Sequence, residues 1–136
     1  MFETWITVVG RVITDVTQRT TSSGDKVCNF RMVARERRFH KESQEWVDGD
    51  KLFIQVKCWR RLAEGVSASL FKGDPVVVFG RVYLNEYEIN GETRSAVELE
   101  ARAIGPDLSM CTAMIQRSNR DIAASDTPMT VGATAA

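Results

Sequence analysis

The clearest alternation of hydrophobic and polar positions runs from Lys51 to Arg61, KLFIQVKCWRR. Read with the period of a strand, Leu52, Ile54, Val56 and Cys58 face one way as a core-facing set. The opposite face carries Phe53, Gln55, Lys57, Trp59 and Arg61, aromatic and basic by turns. Two large rings on an outward strand face need a reason. They either stack on flat ligands such as unpaired bases while neighbouring cations meet phosphates, or pack against a second sheet, a helix or a partner subunit.

Four further stretches carry strand character. WITVVGRVITDVT, from Trp5 to Thr17, is rich in β-branched residues and places Ile6, Val8 and Val12 on one face. Gly10 interrupts it, as at a bulge or a sharp coil. After a polar turn at Thr20–Lys26 comes VCNFRMVARER, with Cys28, Phe30, Met32 and Ala34 inward. Its other face bears Asn29, Arg31, Val33, Arg35 and Arg37. VVVFGRVYLNEYEI, glycine-broken at Gly80, leads into Asn90-Gly91, a strong hairpin signal. TRSAVELEARAIG returns with an ambiguous register and is stopped by Pro106.

Two segments break the strand period. Leu62, Val66, Leu70 and Phe71 predict a helix over 62–72, ended by Gly73 and plugging the core. Residues 36–50, ERRFHKESQEWVDGD, read as a long exposed hairpin loop in which Phe39 and Trp46 have no stripe to hide in. Loops of that length in compact domains tend to be functional or disordered, and rings beside Arg35, Arg37, Arg38 and Lys41 favour function.

Strand, strand, strand, helix, strand, strand is the layout of an all-β OB-fold: a five-stranded barrel with one helix between strands 3 and 4. Such barrels bind oligonucleotides on their second and third strands and through hairpin loops. The two basic-aromatic faces fall on those strands, and Tyr83 and Tyr87 lead into the last hairpin.

Composition sharpens this picture. The 136 residues suit one domain, with 18 basic and 18 acidic side chains in balance. The balance hides an asymmetry: residues 31–61 hold nine Lys/Arg against five Asp/Glu, and residues 82–107 hold two Arg against six acids. Cys28, Cys58 and Cys111 are widely spaced and His40 is the only histidine, so a zinc site is not expected. Reduced thiols fit a cytoplasmic setting. Neither a signal peptide nor a membrane-spanning run is legible. No cofactor is implied. Paired catalytic carboxylates, a nucleophile triad and a phosphate-cradling glycine loop are also missing, so the chain reads as a binder rather than an enzyme. An OB-fold module whose aromatic-basic face meets another protein is the alternative.

From about Trp5 to Leu108 the chain also resembles the bacterial single-stranded DNA-binding proteins, the actinobacterial type in particular. The likeness rests on WITVVGRV, VCNFRMVARE, LFIQVKCWRRLAE, LFKGDPVVVFGRV and ELEARAIGPDLSMCTAMIQ, in order and at matching spacing. It implies an OB-fold over residues 1–109 that assembles as a homotetramer around single-stranded DNA at the nucleoid, in replication, recombination or repair. Stacking positions of the family match Phe39, Phe53, Trp59 and Tyr87, and backbone-contacting positions match Arg61 and Lys72. With them Arg35, Arg37 and Lys57 form the expected phosphate set. In the actinobacterial type a further strand clasps a neighbouring subunit, a part that residues 110–117 would take.

Three departures from the family pattern stand out. Glu86, Glu88 and Glu92 occupy a hairpin usually basic, which would repel phosphates. Trp5 replaces a small polar or basic residue and either extends the stacking surface or packs at an interface. Residues 118–136 read as a short disordered tail without an acidic tip, so recruitment of partners through such a tip is not expected.

Overall fold

The computed structural model describes residues 2–117. The reading of 118–136 as a disordered, tipless tail lies outside the described residues.

Alternating β-branched and aromatic residues fold into strands β1 (Thr4–Val12), β2 (Thr17–Thr20), β3 (Lys26–His40), β4 (Glu45–Trp59), β5 (Pro75–Ile89) and β6 (Glu92–Pro106), with one helix, α1 (Arg60–Ser69), between β4 and β5. Pairing runs β1-β5-β6-β4-β3, and β1 returns to β3 through Arg11↔Val33 and Val12↔Met32, which closes a ring of five strands. The short β2 lies on the outer edge of β3. Counting the ring alone, the helix falls between its third and fourth strands. This is the OB-fold barrel.

Two glycines make the closure possible. A Cβ on Gly10 would run into the Val33 carbonyl where β1 crosses β3, and one on Gly80 would strike the backbone of Glu100 and Ala101. Gly80 also sits at the register shift of the β5–β6 ladder. The ring is completed by a short parallel junction, Gln55↔Glu98, Val56↔Leu99 and Lys57↔Glu100, between β4 and β6.

Inward side chains of all five ring strands, among them Val8, Phe30, Met32, Ile54, Val56, Val78 and Leu99, form one core. Helix α1 adds Ala63 and Val66, and Leu70 follows from its C-cap. The helix starts two residues earlier than its apolar spacing predicts and ends at Ser69. Leu70 is already extended, and Gly73 (φ +100°) belongs to the following turn. Lys26–Glu64 at 3.0 Å and Arg60–Asp25 at 3.4 Å tie the helix to the start of β3.

Residues 36–50 are exposed, as their composition implies, but they are not a loop. The β3–β4 ladder continues outward as a two-stranded ribbon through Arg37↔Asp48, Arg38↔Val47, Phe39↔Trp46 and His40↔Glu45, and only residues 41–44 turn. Leu52, expected inward, is exposed where it pairs with Ala34 at the edge of the core. Asn90 and Gly91 both take positive φ (52° and 80°), the backbone a two-residue hairpin requires.

Candidate nucleic-acid interface

The outward face of the β3–β4 ladder is built by alternation and then preserved by one irregularity. Val33↔Phe53 and Arg35↔Lys51 are paired, but the next pair is Arg37↔Asp48. Two residues, Gly49 and Asp50, therefore face the single Glu36: a bulge on β4. From there to the tip, β4 has changed parity. Asp48 and Trp46 come onto the face of Phe53, while β3 keeps Arg35, Arg37 and Phe39 in step. Phe39, Trp46 and Phe53 are exposed on this one face and Trp59 is half-buried farther along it. The opposite face of the ribbon carries a separate set of charges. Arg38 reaches Glu36 at 3.0 Å and Asp50 at 3.3 Å, and the Asp50 amide donates to the Glu36 carboxylate.

The face is less basic than its sequence suggests. Arg37 lies 3.7 Å from Asp48, and Lys57 is half-buried and in register with Glu100 across the β4–β6 junction. Arg35 is exposed in register with Lys51, a second cation. Arg31, which did not figure among the expected phosphate ligands, lies over the Phe53 ring at 5.3 Å. Alternation already placed it on this face.

Two expected cations sit elsewhere. Arg61 is not on the strand face: Arg60 turns to φ 58°, ends β4 at Trp59 and starts α1, so Arg61 is exposed in the first turn of the helix. Lys72 is exposed on the α1–β5 loop, which is pinned to β1 by hydrogen bonds from the Gly73 amide to the Val12 carbonyl and from the Val12 amide to the Asp74 carbonyl.

Because β4 and β6 run parallel, the β3–β4 ribbon and the β5–β6 hairpin leave the barrel at the same end. Tyr87 is exposed on that hairpin and paired with Arg94. Of the three acids expected to repel phosphate, Glu92 is held by Arg94 at 3.3 Å. Glu86 and Glu88 alternate with Tyr87 and so fall on the other side of the ladder. Nearer the barrel, Tyr83 donates to Glu98 (3.1 Å) and Arg81 to Glu100 (3.2 Å). Burial, with the Glu98 carboxylate beside it, pushes the Tyr83 phenol above its ordinary value.

A second exposed cluster lies on β1, β5 and β6. Trp5 stacks on Phe79 with centroids 5.6 Å apart and planes 20° from parallel, and the Arg102 guanidinium lies 5.1 Å from the Trp5 ring centre. In the sequence Phe79 is one apolar residue of a β-branched stretch, and only the β1–β5 pairing brings it against Trp5. Among the described residues, no group of three or more His, Cys, Asp or Glu is placed to hold a metal ion, and no helix is long and apolar enough to cross a membrane.

Comparison with known proteins agrees with this geometry. Residues 4–107 match the family model for the single-strand binding protein family. A single-stranded DNA-binding protein of Corynebacterium glutamicum is 44% identical over 119 residues, which are 87% of this chain and 53% of that protein; the chain spans about half the length of that relative. Among solved structures, the small single-stranded DNA-binding protein of Streptomyces coelicolor superposes with a TM-score of 0.75 at 36% identity, covering 81% of this chain and 99% of that one. The second single-stranded DNA-binding protein of Mycobacterium smegmatis gives 0.69 at 41%, covering 85% and 100%. With the closed five-stranded ring, the ringed and charged β3–β4 face and a family match across nearly all of the barrel, the chain belongs to the single-strand binding protein family.

Proposed function

We propose that this chain binds single-stranded DNA without catalysis and with little regard for sequence, in replication, recombination or repair at the cytoplasmic nucleoid. The observation that carries the reading is the outward face of the β3–β4 ladder, where Phe39, Phe53 and Trp59 lie on one side among Arg31, Arg35 and Lys57. Bases unstack from each other and lie on these rings and on Tyr87, each contact worth roughly 1–3 kcal/mol. Arg35, Arg37, Lys57, Arg61 and Lys72 neutralise phosphates along the path. Titration with poly-dT tests this: tryptophan emission is expected to quench as labelled oligo-dT is bound. Emission that does not respond, with no binding of the label, would leave a protein-docking OB-fold as the better account.

Assembly of the chain as a homotetramer belongs to the same proposal. From Thr4 to Gly10 strand β1 is paired on one edge only, to β5, and an open edge flanked by exposed Phe2, Trp5, Val9 and Phe79 favours a second copy. Residues 111–117 carry no strand pairing within the single chain. They stand over a cavity of about 920 Å³ against the end of α1 and the start of β5, with Met114 and Ile115 almost fully exposed. This suits a clasp that pairs with a neighbouring subunit. Light scattering is expected to give a tetramer mass for the full chain and a smaller one for a chain cut before Met110; an unchanged mass would remove the clasp.

A further inference from the structure

We propose that Trp46 is a fifth base-stacking ring, forming with Phe39 a two-ring platform at the tip of the β3–β4 ribbon for an unpaired nucleobase. This rests on the reading of the chain as a single-stranded DNA binder and adds a residue to its site.

Three observations carry it. Phe39 and Trp46 are cross-strand partners whose rings meet at 5.5 Å and 55°, yet they remain 45% and 62% exposed. Tilted rings half in solvent keep a broad apolar surface facing water, which a base would cover. Second, the Gly49–Asp50 bulge puts Trp46 on the face of Phe53 and Trp59. Counting back from Phe53 by twos would otherwise bring Val47 there, so the platform continues the stacking surface instead of facing away from it. Third, the two arginines on the ribbon nearest the tip are paired, while Lys41 in the turn is exposed. Arg37 is paired with Asp48, and Arg38 with Glu36 and Asp50, so these two cations add less to the attraction than their number suggests and the rings add more.

The occupant is a base rather than a protein surface because the two rings lie on the same face of the ladder as Phe53 and Trp59, where the proposed stacking takes place.

The test uses the full chain with Trp5→Phe and Trp59→Phe, which leaves Trp46 as the sole tryptophan. Binding of fluorescein-labelled oligo-dT is read by anisotropy and the Trp46 emission is followed in the same titration. Emission is expected to quench with the binding curve. In the otherwise native chain, Trp46→Ala is expected to weaken binding roughly 5- to 100-fold with an unchanged salt slope, and Trp46→Phe to restore most of it. If the native chain does not bind the label, the functional reading fails and this inference falls with it. Binding without quenching of Trp46 overturns the inference alone. A drop in oligomer mass on Trp46→Ala would make the residue a subunit contact and overturn it equally.

Discussion

The guanidinium of Arg31 on β3 lies over the ring of Phe53 on β4, 5.3 Å from its centroid. The two residues sit one step apart on the same face, since Val33 is the direct partner of Phe53 and Gln55 that of Arg31. A cation resting on a ring steadies that ring while keeping positive charge where a phosphate would pass. Arg31→Ala is expected to weaken binding of oligo-dT several-fold and to lower the salt slope by about 0.7, the share of one phosphate on a single strand. Phe53→Ala is expected to cost roughly 1–3 kcal/mol with little change of slope. The double variant should lose less than the sum, because each residue acts partly through the other. Affinities at a series of salt concentrations check all three.

Arg37 is engaged by Asp48 on the same face, at 3.7 Å. Exposed pairs of this kind hold each other weakly, by about 0–1 kcal/mol. Asp48→Asn therefore frees a cation at little cost in stability. Binding should tighten at low salt and its slope steepen by up to about 0.7. Identical salt curves for the native chain and the variant would show that Arg37 does not meet phosphate.

Cys28 and Cys58 face each other across β3 and β4 in the core, and Cys111 lies half-buried after the barrel. Burial, then the neighbouring Cys28 thiol, pushes the Cys58 thiol up to about 12 from an ordinary 9.0; Cys28 is also raised by burial. At pH 8 a thiol reagent is expected to modify Cys111 alone in the native chain and all three cysteines in denaturant. The linkage has a definite sign. The folded state holds protons that the unfolded thiols release above about 9, so this contribution is whole below pH 9 and is lost as pH rises toward 12. Urea midpoints should accordingly fall between pH 9 and 11, and less so for Cys58→Ala once its own loss of packing is subtracted.

Gly10 stands where β1 crosses β3 with no room for a side chain. Gly10→Ala is expected to destabilise by roughly 2–4 kcal/mol, because the neighbour it meets is backbone and cannot rotate aside. Gly65→Ala, on α1 with open space around it, should be neutral or stabilising by up to about 1 kcal/mol. Thermal unfolding of the two variants gives the comparison.

How far the sequence discloses this molecule follows from what each stretch must bury. Strands with one face in the core, such as Phe30–Met32 and Ile54–Val56–Cys58, show alternation because water lies on one side and the core on the other. Gly10, Gly80 and Asn90-Gly91 are legible because close approach and positive φ leave few choices of residue. The ribbon beyond Arg35 is not legible as paired strand, since both its faces are wet and no hydrophobic period is needed. Its bulge compounds this: a count by twos back from Phe53 skips Trp46, and only the ladder corrects the parity. Arg61 was misplaced for a related reason. Nothing in Trp59-Arg60-Arg61 announces that a non-glycine residue takes φ 58° and turns strand into helix. The short β2 is exposed throughout, so no burial pattern marks it.

The junction at Gln55–Lys57 has a metric consequence. It falls between Phe53 and Trp59, where β4 is hydrogen-bonded to β3 on one edge and to β6 on the other. Six residue steps of extended backbone separate the two rings, a span of roughly 20 Å. With both edges occupied at Gln55–Lys57, the middle of that span is held against stretching or slipping. The barrel is thus a ruler of fixed pitch between the two rings, and on the proposed function a bound strand would have to fold or extend to match it.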